Sequence, residues 1–275
     1  MIALKREYSL AHLTTLRCPP PELVYTAKLA GYDYVSPRIV NLGIKGESNY
    51  DLASQPDMLR DTLNAMEETG IRVHDIELLR ILQDTDVQKY EAAIEVGARL
   101  GARHVLSSIW TPDKDVYLEK FAQLCDLAKS YGLGVQLEFV TWAEVTDLAQ
   151  AKEVLLTINR DNAGIMLDTL HAYRSRVAPE ELDSCPANWF KFCHLCDGPV
   201  EIPTDKQELL AVGRDGRYYV GEGVIDIASY MRRLPEDIVC SIELPHIKRI
   251  AVYGAVEHAR RCIESCKSYF AAHNM

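Results

Sequence analysis

Short apolar runs rich in β-branched residues alternate along the whole chain with longer amphipathic segments, and this alternation constrains the fold more than any other feature. It is the pattern of repeated strand and helix units built around a parallel sheet. The sequences AGYDYV, TGIRVHDI, LGARHVL and YGLGVQL each contain a helix end, a glycine and the start of the next strand. Eight such units predict an α/β fold, a (β/α)8 TIM barrel.

The predicted elements follow from this pattern. The predicted strands are Tyr8–Leu13, Tyr32–Ile39, Arg72–Leu78, His104–Trp110, Gly134–Val140, Ala163–Leu167, Phe190–Leu195 and Ile238–Leu244. The predicted helices are Pro21–Ala30, Pro56–Thr69, Val87–Leu100, Asp113–Ser130, Thr146–Thr157, Pro179–Ser184, Ile225–Leu234 and Lys248–His273. A chain of 275 residues has the size of one such barrel. We therefore predict a single domain over residues 1–275.

One segment departs from the alternation. Residues 197–225 contain five glycines and two prolines, which argue against a helix there. Loops of this length inside a compact domain are usually functional or mobile. We predict a long βα loop after the seventh strand that can fold over the active site.

The charge balance excludes some classes of protein. Asp and Glu number 40 against 30 Lys and Arg, so the formal net charge is −10, which is unfavourable for a nucleic-acid partner. No stretch reaches the roughly 18 apolar residues that span a membrane, and the N-terminus lacks a signal-peptide core. These features predict a cytoplasmic protein with neither nucleic acid nor membrane as partner. The oligomeric state stays open, although barrels of this size often form homo-oligomers.

Eight scattered cysteines predict reduced, mostly buried thiols rather than a disulfide framework. Cys193 and Cys196 form a CxxC pair, but no helix begins after it, which argues against a redox motif. His194 lies between them and could suggest a Cys/His zinc site. Strand alternation argues against that site, because Cys193 and Leu195 must point away from His194.

Acids and a histidine occur at the ends of the last four predicted strands: Glu138, Asp168, His194 and Glu243. In a parallel barrel these ends converge on the catalytic face. Three carboxylates cannot converge in a low-dielectric site without a compensating positive charge. Oxygen and nitrogen ligands without thiolate predict Mn²⁺, Mg²⁺, Co²⁺ or Zn²⁺. A metal-free acid–base site is the alternative.

The segments LEFVTWAEV, GIMLDTLHAYRS, FCHLCDG, GEGVIDI and SIELPH resemble the xylose isomerase-like TIM barrel superfamily, in particular its sugar phosphate isomerase/epimerase group. The resemblance covers nearly the whole chain. It implies that Glu138, Asp168, His194 and Glu243 hold a divalent metal, with Mn²⁺ as the first choice. It also implies that Glu138 and Glu243 are the catalytic acid–base residues.

Further residues are candidates for substrate contacts or for supporting the metal ligands. His171 resembles the Asp-x-x-His element of the family, and Glu77 lies at the predicted tip of the third strand. His74 and Glu77 would point to opposite faces of a regular strand, so we expect the strand to have ended before one of them. Arginines could meet an anionic substrate. The remaining candidates are His12, Arg38, Arg80, Arg174, Arg214, Arg217 and Glu222.

These residues predict a divalent-metal-dependent isomerase or epimerase. Its substrate would be a sugar, a sugar phosphate or a related polyhydroxy ketone. A carboxylate would remove a proton α to a carbonyl while the cation stabilises the enediolate. The first alternative is a metal-dependent dehydratase (lyase) of a 3-dehydroshikimate-like or keto-inositol-like compound, because both reactions begin with the same proton removal. A non-catalytic barrel that serves as a binding subunit is the second alternative.

Overall fold

The computed structural model of the protein describes residues 6–42 and 48–275. Its parallel strands neighbour one another in the order β3-β2-β1-β9-β8-β7-β6-β5-β4. Because β3 and β4 are consecutive in the chain, the sheet curls into a nearly closed cylinder, and the predicted (β/α)8 barrel is confirmed. The strands are β1 (Tyr8–Ala11), β2 (Tyr34–Ser36), β3 (Arg72–Val73), β4 (Asp75–Ile81), β5 (His104–Ile109), β6 (Gly134–Glu138), β7 (Ala163–Asp168), β8 (Phe192–Leu195) and β9 (Val239–Ile242).

Helices follow most of the strands and cover the outside of the barrel. They are α1 (Pro20–Ala30), α2 (Pro56–Thr69), α3 (Glu91–Arg99), α4 (Lys114–Ser130), α5 (Leu148–Ile158), α6 (Thr169–Arg174), α7 (Lys206–Asp215), α8 (Ile227–Met231) and α9 (Ile247–Ala272). The predicted bounds of α2 are reproduced, because Pro56 opens the helix and Gly70, with φ of 72°, ends it. Within the described residues no helix combines the length and apolarity needed to cross a membrane.

The third predicted strand is interrupted rather than ended. It forms β3 and β4, separated at His74, and β4 continues past Glu77 to Ile81. A register shift between Ile76 and Leu79 interrupts the pairing with β5 as well. His74 and Glu77 are consequently both buried, at 2% and 1% exposure. The expectation that the strand ends before one of them is wrong, because an irregular strand can turn both side chains inward.

The contact between β2 and β4 closes the ring. Glu77 donates its backbone N–H to the carbonyl of Pro37 at 3.0 Å, and Ile39 donates to the carbonyl of Glu77 at 3.1 Å. Arg38, between these partners, forms a parallel bridge with Glu77. This closure brings Arg38 and Glu77 to the same end of the barrel as the last residues of β6 and β7.

The long segment after β8 contains a helix, contrary to the prediction for residues 197–225. Helix α7 begins after Asp205, whose side chain accepts hydrogen bonds from the N–H groups of the first turn, and it ends at Gly216. The breakers therefore lie at its ends, with the exception of Gly213. A Cβ atom at Gly213 would lie 2.3 Å from the Trp142 ring, so the glycine lets α7 pack closely on Trp142. The single domain over 1–275, which includes ranges outside the described residues, stays a prediction.

Candidate metal centre

Four side chains converge at the carboxyl end of the barrel strands. Glu138 and Asp168 are the last residues of β6 and β7, His194 lies in β8, and Glu243 directly follows β9. Each offers one ligand atom, and these atoms all lie within 4.8 Å of one another. All four side chains are buried, with at most 6% exposure. The barrel geometry thus brings together the acids and the histidine that the sequence placed on separate strands.

His194 is the central member of this cluster. Its Nδ1 lies 3.5 Å from Oε2 of Glu243 and 3.9 Å from Oδ2 of Asp168. Neither ring nitrogen has a hydrogen-bond partner among the described residues, although the ring is fully buried. A buried imidazole without such partners is expensive unless a ligand completes it. The donor set of one imidazole and three carboxylates therefore fits a divalent cation.

The carboxylates change the acidity of His194. Burial lowers the pKa of the ring, but attraction to Glu243, Glu138 and Glu77 outweighs burial and raises the pKa to about 10. In the same field, burial and the neighbouring Glu243 raise the pKa of Glu138 well above its usual range. Metal ligands must be deprotonated, so binding of a cation would release protons from this cluster.

Arg217 provides a positive charge at the same place. Its Nη1 lies 2.6 Å from Oδ2 of Asp168, and its Nη2 lies 2.7 Å from Oε2 of Glu243. Burial raises the pKa of both carboxyls, but the guanidinium outweighs burial and holds each pKa below its ordinary value. The sequence named Arg217 as a substrate contact, whereas the structure places it directly on two of the predicted metal ligands.

The orientation of Asp168 follows from local helix capping. Its Oδ1 accepts hydrogen bonds from the N–H groups of Leu170 at 2.7 Å and His171 at 3.1 Å, in the first turn of α6. Its Oδ2 is then the oxygen that faces Arg217 and His194. One carboxylate thus both begins a helix and contributes an oxygen to the candidate metal centre.

His171 lies beside Glu138. Its Nδ1 accepts a hydrogen bond from the backbone N–H of Thr141 at 3.2 Å, and its ring packs edge-on against Trp142. Burial lowers the pKa of His171 to about 4, so the ring is neutral at pH 7. Nδ1 is an acceptor in this arrangement, which assigns the proton to Nε2, 4.0 Å from Oε1 of Glu138. His171 therefore contributes a hydrogen-bond donor beside one predicted catalytic carboxylate.

A cavity of about 320 Å³ lies above the cluster. Of the four candidate ligands, Glu138 and Glu243 line it, whereas Asp168 and His194 do not. Trp110 and Trp142 form part of its apolar wall. The other charged or titratable side chains in the lining are His171, Arg38, Arg80, Arg214, Asp215 and Arg217. The volume suits one small molecule.

Glu77 and His12 lie behind this cavity. Oε1 of Glu77 is 4.0 Å from Nε2 of His194, and burial raises the pKa of Glu77 to about 8. His12 hydrogen-bonds the carbonyl of Cys18 at 2.7 Å, and its Nδ1 accepts from the N–H of Arg38 at 2.9 Å. Neither side chain lines the cavity. Their positions support neighbouring residues instead of contacting a ligand.

Two further candidates also lie outside the lining. Arg174 is buried and donates from Nη1 to the carbonyl of Leu209 at 3.0 Å, which joins α6 to α7. Glu222 accepts from the N–H of Tyr219 at 3.1 Å and pairs with Arg249 at 2.8 Å. These contacts are local. Substrate binding by Arg174 or Glu222 therefore has no geometric support in this structure.

The sequence analysis did not single out Trp142, Thr141 or Trp110. Trp142 and Thr141 follow β6 within LEFVTWAEV, a segment that was quoted for its glutamate. An aromatic residue directly after a barrel strand could have been noticed as a wall of the cavity. Thr141 acts through its backbone N–H, which carries no sequence signal.

The prediction for the two flanking positions of His194 is consistent with the packing. Cys193 and Leu195 belong to the core between barrel and helices, and Sγ of Cys193 lies 3.7 Å from Sδ of Met231 in α8. Sγ of Cys196 lies on the inner side, 3.3 Å from Nη1 of Arg217. All eight cysteines are free and buried, as predicted.

A buried cluster of Glu, Asp, His and Glu at the carboxyl end of a parallel barrel defines a barrel protein with a candidate metal centre. A model of the xylose isomerase-like TIM barrel family matches residues 24–266, and the chain belongs to this family.

Individual relatives are more distant. The inosose isomerase of Bacillus subtilis (strain 168) is 25% identical over 205 residues, which cover 67% of this chain and 70% of that protein. The structure of the IOLI protein with a bound zinc atom superimposes with a TM-score of 0.78 at 21% identity, covering 97% of this chain and 98% of that one. D-allulose 3-epimerase from Methylomonas sp. gives a TM-score of 0.72 at 16% identity, with 96% and 97% covered.

Proposed function

We propose that the protein is a divalent-metal-dependent isomerase or epimerase of a polyhydroxylated ketone. The observation that carries this proposal is the division of labour among the four clustered side chains. Asp168 and His194 are enclosed, whereas Glu138 and Glu243 face the cavity. A substrate in the cavity would therefore meet two carboxylates that belong to the same cluster. The inosose isomerase relative and the epimerase fold neighbour support the same reaction class.

The chemistry divides between the cluster and its carboxylates. A divalent cation held by the four side chains would stabilise negative charge on substrate oxygens. Glu138 or Glu243 removes a proton from the carbon next to the carbonyl. Return of a proton to the neighbouring carbon gives an isomer, and return to the opposite face of the same carbon gives an epimer. Two carboxylates in one cavity suit this exchange, because one can remove the proton and the other can return it.

His171 and Arg217 have supporting roles in this proposal. The Nε2–H group of His171 points toward Oε1 of Glu138, 4.0 Å away, and can orient that carboxylate as it changes protonation. Arg217 lines the cavity while it contacts Asp168 and Glu243. Its guanidinium keeps those two carboxyls ionised, as metal ligands must be.

The test combines metal content with proton exchange. The purified protein is loaded with Mn²⁺, Mg²⁺, Co²⁺ or Zn²⁺, and bound metal is measured by mass spectrometry. Inosose, D-allulose and 3-dehydroshikimate are then incubated with it in D₂O, and NMR records deuterium at the carbon next to the carbonyl. We expect near-stoichiometric metal and exchange on at least one ketone. An ultraviolet-absorbing alkene product would instead identify the dehydratase alternative.

The variants Glu138→Gln and Glu243→Gln test the proton-transfer residues. Loss of a general base typically lowers the rate by about 10² to 10⁴-fold. Metal content is measured in each variant, so that loss of exchange is separated from loss of metal. Glu153→Gln, an exposed change on α5, is the matched control. Failure to bind any of the four metals, or unchanged exchange in both cavity variants, would overturn the proposal.

A further inference from the structure

We propose that the substrate carries a negatively charged group, a carboxylate or a phosphate, which is bound at the arginine-rich side of the cavity. The inference rests on the proposed function and specifies its substrate class. Four arginines line one cavity of about 320 Å³: Arg38, Arg80, Arg214 and Arg217. The whole chain has a formal net charge of −10, so this concentration of positive charge is local to the site.

The charges of the metal cluster balance without three of these arginines. A divalent cation and Arg217 together carry three positive charges, which equals the charge of the carboxylates of Glu138, Asp168 and Glu243. Arg38, Arg80 and Arg214 remain in the lining, and Asp215 is the one further acid there among the described residues. The surplus stays positive even if Glu77, behind His194, is counted as ionised. An anionic group on the substrate would neutralise it.

Arg214 is the arginine with the clearest geometry. It lies in the last turn of α7, three residues before Arg217, and it is only partly exposed. Among the described residues its side chain makes no hydrogen bond or ion pair. It also lines an adjoining cavity of about 440 Å³ together with Leu13 and Leu16, which the first cavity shares. Arg214 therefore lies at the rim through which a ligand reaches the metal cluster.

Arg38 and Arg80 lie on the other side of the cavity and are held in place by the barrel. Arg38 is 8% exposed, and its N–H donates to Nδ1 of the neutral His12 ring. Nη2 of Arg80 donates to the carbonyl of Leu42 at 2.7 Å, and its guanidinium faces the Trp110 ring at 5.7 Å. Guanidinium groups fixed in this way lose little conformational entropy when they bind a planar carboxylate or a phosphate.

The arrangement favours anions over neutral polyols of the same size. A charge-assisted hydrogen bond to arginine is roughly twice as strong as a neutral one. A cationic cavity in an acidic protein also concentrates anions locally. The preference should weaken with ionic strength, because exposed charges such as Arg214 are screened by salt.

Isothermal titration of the metal-loaded full chain tests the inference. The probes are shikimate as a cyclic polyhydroxy carboxylate, myo-inositol 1-phosphate as a phosphate and myo-inositol as a neutral polyol. We expect at least one anion to bind at least tenfold more tightly than myo-inositol. Preference for shikimate identifies a carboxylate substrate, and preference for the phosphate identifies a phosphorylated one. Equal affinity for all three probes would overturn the inference.

Arginine variants localise the effect. Arg80→Gln and Arg214→Gln should each weaken anion binding by about tenfold while leaving myo-inositol binding unchanged. Lys206→Gln removes the same charge from the exposed first residue of α7 and is the matched control. If both arginine variants bind the anion as wild type does, the inference is wrong. Metal-loaded protein that exchanges deuterium on a neutral ketone without anion preference rejects this inference alone, whereas failure to bind metal rejects the proposed function.

Discussion

Nε2 of His194 lies 4.0 Å from Oε1 of Glu77, and both side chains are enclosed by the barrel. Nδ1, on the other side of the ring, faces Asp168 and Glu243. Both carboxyl oxygens of Glu77 lack a hydrogen-bond partner among the described residues. Glu77 can therefore accept the Nε2 proton of His194 and hold Nδ1 toward the cluster. A carboxylate behind a histidine commonly orients that ring in metal sites.

Glu77→Gln is expected to weaken binding of a divalent cation by about 10 to 100-fold, because the amide keeps the size of the side chain but loses the charge that orients His194. A fluorescent chelator in competition with the protein measures the dissociation constant. Glu153→Gln, on the outer surface, should bind the cation like wild type. An unchanged dissociation constant in a folded Glu77→Gln protein would contradict the predicted role.

Arg217→Gln is expected to destabilise the metal-free protein by about 3 to 5 kcal/mol, because it leaves the buried carboxylates of Asp168 and Glu243 without their counter-charge. Urea unfolding with a chelator present measures this loss. A saturating divalent cation should recover a large part of it, because the cation supplies the missing positive charge. Equal destabilisation with and without the cation would show that Arg217 acts only through packing.

Gly213→Ala is expected to destabilise the protein and to weaken ligand binding. Alanine favours a helix by about 1 kcal/mol over glycine. The new Cβ would however lie 2.3 Å from the Trp142 ring, so α7 must shift away from the cavity. Thermal unfolding and tryptophan fluorescence measure the two effects. Gly216→Ala is the control, since its nearest contact would be 3.6 Å; similar behaviour of the two variants would argue against close packing at Gly213.

His258 is expected to make the metal-free protein sensitive to acid. Burial lowers the pKa of this ring from 6.5 to about 4, and its Nε2 hydrogen-bonds the carbonyl of Leu244 at 2.9 Å. Between these two pH values the unfolded chain binds a proton that the folded protein does not. The free energy of unfolding must therefore fall as the pH drops through this window, by up to about 1.4 kcal/mol per pH unit.

His258→Gln removes this titration and keeps a donor for the carbonyl of Leu244. Urea unfolding of the metal-free protein at several values between pH 6.5 and 4 compares the slopes of wild type and variant. The variant should show a shallower dependence on pH. Identical slopes would mean that the folded protein accepts a proton on His258 as readily as the unfolded chain does.

The sequence by itself determined the barrel and its strand-end ligands. Alternating apolar and amphipathic segments dictate parallel strands with outer helices, and the parallel arrangement brings the last residues of neighbouring strands together. Glu138, Asp168, His194 and Glu243 could thus be named because each follows a recognisable strand. Helix α2 was also predictable to the residue, because Pro56 and Gly70 are local signals.

Only the tertiary structure decided which side chains face the cavity. The position of Arg217 on Asp168 and Glu243 depends on α7, whose Gly213 is tolerated because the helix packs on Trp142. The inward turn of Glu77 depends on the interrupted strand and on its pairing with Arg38. These are contacts between residues far apart in the chain, and local propensity does not encode them. The periodic pattern determines where strands end, whereas packing between distant segments determines what stands beside those ends.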